Sequence, residues 1–459
     1  MFVSCALTIY AVNPLTQPFL GETGHNHQRA IEFFLIFSSL LALTLASCRV
    51  YALNTLRNLA SLDVLLLSVL VVLVFAGAIF SDDYWRSLQE SGRMFGLLVL
   101  ALALSWSGEG RALRLGLAWL LIGIAVIFLI RLVVVFIVLL GSPEMQVTHT
   151  LIDGFSNKRS FNHVQAFVVP YLYFRVLSGG VRGRHLWALS VLIASQWVWL
   201  FYSQGRGVFL AISIVLSIYV LRFSKRKLRE SCIVLAPFLA GFAIYYCMFV
   251  VWRNSAGISE VITRGSSGRL DLWVLSLKSI LSNPLLGVGG QGFSNAIDGV
   301  SLGSAHNFIL NCTVEYGVPV ATIFVFWIVR FVSLFWRAQG LLFFKAEGIL
   351  MLATPLLYSF LTGMFLSPLS SILFSFALAC YFDSARKESA AIGGCGSNWR
   401  GGHRVVVALL FAMVASYIAV TLVDIVIFRE SLSSCLYENG CFPRFWLNGD
   451  FRNFSVNGI

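Results

Sequence analysis

Apolar runs close to twenty residues long recur along the chain, separated by short polar stretches. Ile31 to Ser47, Val64 to Phe80, Leu115 to Leu140, Ile233 to Val251 and Phe308 to Val329 are the clearest. That is the length an α-helix needs to cross a hydrocarbon core. Backbone polar groups must be satisfied inside lipid, so the runs predict helices rather than strands. Followed along the whole chain, the pattern places segments near 2–20, 30–48, 62–80, 94–106, 115–140, 163–178, 186–202, 207–221, 231–252, 306–333, 347–366, 370–382 and 405–428. Those at 94–106 and 370–382 are short, and 2–20 contains Pro14 and Pro18. The expectation is therefore an all-α polytopic membrane protein with about twelve or thirteen transmembrane helices. Its expected divisions are N-terminal helices over 1–252, a long outer loop over 253–305, C-terminal helices over 306–428 and an outer tail over 429–459.

Composition agrees with this class: 58% of the 459 residues are hydrophobic and 12% charged, where a soluble domain carries about a quarter charged residues. The net charge of +12 raises nucleic acid or anionic lipid as a partner, but much of the excess is topological. The loops 49–58, 107–114, 179–185, 222–230, 334–346 and 383–404 hold 17 of the 33 Lys and Arg residues. Placed in the cytoplasm, they satisfy the positive-inside rule with each intervening segment crossing once. Trp85, Trp106, Tyr202, Trp252 and Trp336 then lie near span ends, as interfacial aromatics do. Residues 2–12 lack a basic n-region, so no cleaved signal peptide is expected. Cys435 and Cys441 flank a Tyr-Glu-Asn-Gly turn in the outer tail. A disulfide suits an oxidising compartment there, and two free thiols are the alternative.

The chemistry is expected in the loop over 253–305. After Thr263-Arg264-Gly265-Ser266-Ser267-Gly268-Arg269 comes a helix pattern with Leu270, Trp273, Val274, Leu277, Ile280 and Leu281 on one stripe. Ser266 or Ser267 can cap it, and Asn283-Pro284 stops it, which predicts a short amphipathic helix at the membrane interface or over the bundle mouth. Gly287-Val288-Gly289-Gly290-Gln291-Gly292 matches the dinucleotide fingerprint only formally, because no strand precedes it. It reads as a tight turn whose glycines permit positive φ and close backbone approach. Ser304-Ala305-His306-Asn307 then leads into the next span. A histidine at the wet end of a helix can exchange protons near neutral pH, or serve as an interfacial anchor.

In order, Arg206 within Ser203-Gln204-Gly205-Arg206-Gly207, then Gly268-Arg269, Trp273, Pro284, Gly287, Gly289, His306-Asn307, Glu315 and Gly317 resemble the bacterial O-antigen ligase and polymerase superfamily. The motif-bearing part covers roughly 200–320, and Asn162-His163 upstream is similar more weakly. The resemblance is greatest to the O-antigen ligase. It implies transfer of O-antigen from undecaprenyl diphosphate to a lipid A-core sugar hydroxyl, at the periplasmic face of the bacterial inner membrane. It further implies that Arg206 and Arg269 hold the donor diphosphate, with Arg264 able to substitute, and that His306 is essential. Donor, acceptor and membrane lipid are the implied partners; no nucleic acid, cofactor or metal is expected.

The chemistry fits those residue types. Arginine stays charged and binds phosphate oxygens through a planar fork, and histidine is a natural general base for a hydroxyl. The expectation is metal-independent, inverting displacement. Each residue also has a structural reading: Arg206 as a snorkelling arginine, Arg269 on the polar face of its helix, Asn307 beside the histidine. Glu315 lies nine residues after His306, about 900° of regular helix turn, so it is expected to face away and bond structurally. Arg131, alone in the middle of a span, either extends a cationic track or pairs with Glu315 or another polar group. Asp153, Lys158, Arg159 and His163 are candidates for the cavity border. Polymerases share these motifs, and protein O-oligosaccharyltransferases are a further relative. A lipid-linked glycan transporter or flippase is the alternative of a different class, with the outward clustering of unusual residues against it.

Overall fold

The computed structural model describes residues 24–57, 61–107, 110–141, 158–178, 182–223, 226–251, 269–293, 304–337, 347–391 and 408–423. Arg264 and the Cys435/Cys441 pair lie outside these residues. Among the described residues the regular elements are all helices: the protein is an all-α polytopic bundle. The first half comprises α1 (Gly24–Thr44), α2 (Ala46–Arg57), α3 (Ser61–Ile79), α4 (Tyr84–Ser107), α5 (Gly110–Gly141), α6 (Lys158–Leu177) and α7 (Arg184–Ser203). Then follow α8 (Arg206–Phe223), α9 (Lys227–Tyr245, extended by a π turn over Tyr246–Val251), α10 (Arg269–Ser282) and α11 (Phe308–Arg337). The last are α12 (Glu347–Ser359), a 3₁₀ turn (Met364–Leu366), α13 (Pro368–Ala391) and α14 (Ala408–Val423).

A helix lies at each expected segment from 30–48 onward, but not every one is a straight apolar rod. By length and apolarity five could cross a membrane: α3, α5, α7, α9 with its π turn, and α11. A sixth is possible if α1 and α2, which meet at 99° around Leu45, form one broken span. Among the described residues these fall short of the expected twelve or thirteen, and the other expected segments hold shorter or more polar helices. The reason is burial. In α6 every side chain from Ser160 to Tyr173 is shielded, because α7, α8, α12 and α13 pack around it. A helix that touches protein on all sides can keep Asn162, His163 and Gln165 among its apolar residues. Likewise α4 begins ten residues earlier than the apolar pattern indicates, and its polar first turns, with Ser87, Gln89, Glu90 and Arg93, are buried.

Two apolar clusters make the core. The larger joins α5, α6, α7, α8, α12 and α13 around Phe128, Phe161, Trp197 and Trp199. The smaller joins α1, α3, α4, α11 and α14 around Ile36, Val71, Phe95 and Tyr417. Leu97 and Leu98 of α4 contact both, so α4 holds the two halves together.

The feature that shapes the outer end is a break in α11 at Gly317, whose φ of 83° and ψ of 168° are not helical. The glycine turn following α10 docks there. Val288 N–H donates to the Val314 carbonyl at 2.9 Å, Gly289 N–H to the Glu315 carbonyl at 2.9 Å, and Val318 N–H to the Pro284 carbonyl at 2.8 Å. The turn thus satisfies backbone groups that the interrupted helix leaves open. A Cβ on Gly317 would stand 2.1 Å from the Leu285 carbonyl oxygen, and one on Gly287 (φ +69°) would meet the Glu315 carbonyl carbon at 2.4 Å. The helix stops at Ser282, directly before Asn283-Pro284.

Gly317→Ala should cost at least about 2 kcal/mol, since it combines a backbone region that is essentially glycine-only with a backbone clash. The loss should appear as a lowered thermal midpoint of the detergent-solubilised protein; an unchanged midpoint would show that the break is not a structural requirement.

Candidate functional site at the outer end of the bundle

Around His306 the chain turns sharply. His306 itself has φ +51°, a left-handed conformation that is uncommon for a side-chain-bearing residue. The surroundings specify it. His306 N–H donates to Ser304 Oγ at 3.0 Å, Ala305 N–H reaches Asn311 Oδ1 at 3.4 Å, and Asn307 Oδ1 accepts from Leu310 N–H at 3.1 Å. Asn307 is thus the N-cap of α11, a structural duty. Because His306 precedes the helix and Gly317 breaks it, the regular-helix angle between His306 and Glu315 does not apply. Glu315 is buried, with its carbonyl oxygen accepting from the glycine turn.

The amphipathic helix α10 holds the same segment from the other side. Trp273 donates its indole N–H to the Ala305 carbonyl at 3.1 Å, and Leu275 and Ile280 pack with Phe293, Ala305 and Val314. Of the expected stripe, Trp273 and Ile280 are half-buried while Leu270, Val274, Leu277 and Leu281 remain exposed, and the buried face instead carries Leu272, Ser276 and Ser279.

Arg159, on the first turn of α6, places Nη1 3.0 Å from His306 Nε2. Arginine has no acceptor and keeps its proton, so the imidazole lone pair on Nε2 accepts and the ring is neutral with its hydrogen on Nδ1. One turn along, His163 is buried. Its Nε2 shares a hydrogen bond of 2.9 Å with Thr362 Oγ1 and its ring meets Tyr358 edge-on at 5.7 Å, while Nδ1 has no partner. Arg269 begins α10, and both it and Arg159 lie within electrostatic reach of the Tyr358 hydroxyl. The Arg269 Nε–H is buried without an acceptor. Arg206 is exposed at the start of α8, between Gly205, which abuts Asn162, and Gly207, which abuts Tyr358. Ser203 fixes Asn162 by donating to its Oδ1 at 2.7 Å. Arg159, Arg269, His306 and His163, which lie apart in sequence, are thus gathered near Tyr358 and Thr362, and the glycines flanking Arg206 bring its turn against Asn162 and Tyr358. Arg131 belongs elsewhere: it lies within α5, with its guanidinium 5.2 Å from the Phe128 ring centroid. A separate open cleft of about 460 Å³ between α5 and α9 is lined by Leu132, Phe136, Ile244, Cys247 and Met248. Its apolar lining offers hydrocarbon contact and no chemistry.

Beneath the cluster is a buried charge network. Arg93 pairs with Glu90 through Nε at 3.1 Å and Nη2 at 2.6 Å, and with Glu32 at 3.1 Å; Arg29 also pairs with Glu32. Two arginines and two glutamates balance. Their remaining donors hold the 3₁₀ turn, Arg29 on the Leu366 carbonyl at 2.8 Å and Arg93 on the Phe365 carbonyl at 3.1 Å. Phe365 in turn packs on Phe308 at 5.0 Å, and Gly363 lies against Ser304. The network therefore supports the backbone that presents His306. The hydrophobic pattern does not mark this network. The signals that could have found it are the spacings Arg29–Glu32 and Glu90–Arg93, each three apart on one helix face.

Residues 188–325 match the family model described as O-antigen ligase. The match supports a likeness of this segment to the O-antigen ligase and polymerase superfamily. The match supports glycosyl transfer of that general type and an enzyme acting on lipid-linked polysaccharide and lipid A-core, without choosing the member. No curated protein matches the chain. The matched segment contains Arg206, Arg269, His306, Asn307 and Glu315 but not Arg159 or His163.

Arg93→Met should destabilise the protein by roughly 3–5 kcal/mol, because it removes the buried cation that balances Glu90 and one of the two that balance Glu32. Detergent-solubilised variant and wild type compared by thermal unfolding would show it; equal midpoints would mean the network does not carry the outer end.

Proposed function

We propose that this protein is an O-antigen ligase, moving glycan from undecaprenyl diphosphate to a sugar hydroxyl of lipid A-core at the periplasmic face of the inner membrane. The observation that carries this reading is the Arg269 Nε–H, buried without an acceptor, near the same Tyr358 hydroxyl as Arg159, the partner of the neutral His306. A buried donor without an acceptor costs about 1–3 kcal/mol, and a diphosphate oxygen would remove that cost with a charge-assisted bond. Arg206, exposed between two glycines that abut Asn162 and Tyr358, would hold the second phosphate, and the arginines would supply the charge neutralisation for which a metal would otherwise serve. Arg264 keeps the role suggested by its place in the loop, as a substitute cation.

In the proposed reaction the acceptor hydroxyl attacks the anomeric carbon from the face opposite the diphosphate. The new carbon–oxygen bond forms as the bond to the phosphate oxygen breaks, inverting the centre. The hydroxyl proton passes to His306 Nε2, and the bonding pair leaves with undecaprenyl diphosphate, held by arginine. A neutral imidazole is the form that can accept that proton.

Purified protein given undecaprenyl-diphosphate glycan and lipid A-core, with chelator and no nucleotide, should yield glycan on lipid A-core. Longer glycan remaining on the carrier would assign polymerisation instead. Movement across vesicles without bond formation would overturn the enzyme reading. His306→Ala should lower transfer by about 10²–10⁴-fold with donor binding retained, and wild-type rates would remove His306 from the mechanism. Arg269→Ala should instead raise the donor KM, and an unchanged KM would place the diphosphate elsewhere.

A further inference from the structure

The hydrogen bond between Arg159 and His306 has a consequence for when the base is available. The guanidinium donates into Nε2 at 3.0 Å, and an imidazole so engaged carries hydrogen on Nδ1. Neither nitrogen then has an accessible lone pair. As it stands, His306 cannot take a proton from a hydroxyl until Arg159 moves. Arg159 is equipped to move: its side chain is exposed on the first turn of α6, whereas His306 is held by backbone bonds through Ser304, Asn311 and the Trp273 contact at Ala305. The exposed partner is the arginine, and the one anchored through its backbone is the histidine.

We propose that Arg159 is a removable cap on the general base: it keeps Nε2 occupied in the resting protein and is drawn off by the anionic diphosphate of the arriving donor, which uncovers His306. This rests on the proposed lipid-diphosphate transfer. A guanidinium favours a diphosphate oxygen over a neutral imidazole, because attraction between full opposite charges adds to the hydrogen bond. Arg269 and Arg159 act on the same Tyr358 hydroxyl, so an anion bound by Arg269 lies within the region Arg159 can reach. The cap also fixes the tautomer, leaving Nε2 as the basic nitrogen once released. The arrangement makes the base available only when there is a donor to use it, and limits proton abstraction from acceptor or water beforehand. Arg159 is in this sense a positioning residue, acting through His306.

Diethyl pyrocarbonate tests the cap without requiring turnover, because it acylates an imidazole nitrogen that has a free lone pair. The full-length protein in nanodiscs, without donor, is labelled and the His306 peptide followed by mass spectrometry. Arg159→Gln should label several-fold faster than wild type, and Arg159→Lys, which retains a donor, should fall between them. Equal rates in wild type and Arg159→Gln would overturn the cap. Inorganic pyrophosphate is the second probe. It should accelerate His306 labelling in wild type and leave Arg159→Gln no faster. Slower labelling in both would show an anion that shields the histidine without releasing it, and would overturn the donor-driven step. Failure of wild-type protein to transfer glycan, with the labelling pattern intact, would instead sink the assigned reaction and leave the Arg159–His306 pair standing.

Discussion

A bundle built for a membrane cannot leave backbone donors, acceptors or charges unpaired in its interior, and the outer end of this protein follows from that constraint. Where α11 breaks at Gly317, the exposed carbonyls of Val314 and Glu315 need donors, and the glycine turn over 284–292 supplies them. Where arginines enter the interior of α1 and α4, glutamates come with them, and the spare guanidinium donors take the carbonyls of Phe365 and Leu366. Each pairing ties one irregular segment to a regular helix. The irregular segments are those that carry or border His306.

The same turn meets α4 on its other side. Gly290 N–H donates to Ser87 Oγ at 2.7 Å, and Gln291 Nε2 to Gln89 Oε1 at 3.1 Å. The buried polar stretch of α4 therefore serves two neighbours, the glycine turn through Ser87 and Gln89 and the 3₁₀ turn through Arg93. Any displacement of α4 would be felt at His306 by two routes. Polar residues paired in this way add specificity of arrangement, since apolar packing alone would tolerate sliding of one helix along another.

The glycines at 287, 289 and 317 show how a motif can be legible while its purpose is not. Their positive φ angles follow from the residue type, and a turn over 287–292 is readable from the sequence. The partner they admit, a broken helix starting fifteen residues beyond the turn, is not. Arg159 is a parallel case. The sequence places it near the outer surface among several polar neighbours, and only the packing of α6 against the 304–307 segment brings it to His306 Nε2 rather than to water.

Hydrophobic periodicity alone was enough for the all-helical class, the places of the helices, and the helix after Arg269 with its stop at Asn283-Pro284. These are local consequences of lipid length, side-chain transfer and turn chemistry. The sequence pattern misjudged the character of helices surrounded by protein: α4 is longer, and α6 and α13 more polar on their buried faces, than a lipid-facing span allows. The tertiary structure alone decided which polar groups meet. Arg206, Arg269, His306 and His163 come from four elements, and the network below them joins residue 29 to residue 366. Such contacts depend on how helices pack rather than on the order of residues within any one of them. The loop over 253–305 thus contributes Arg269 and the turn into His306, while the bundle contributes the groups that hold, cap and orient them.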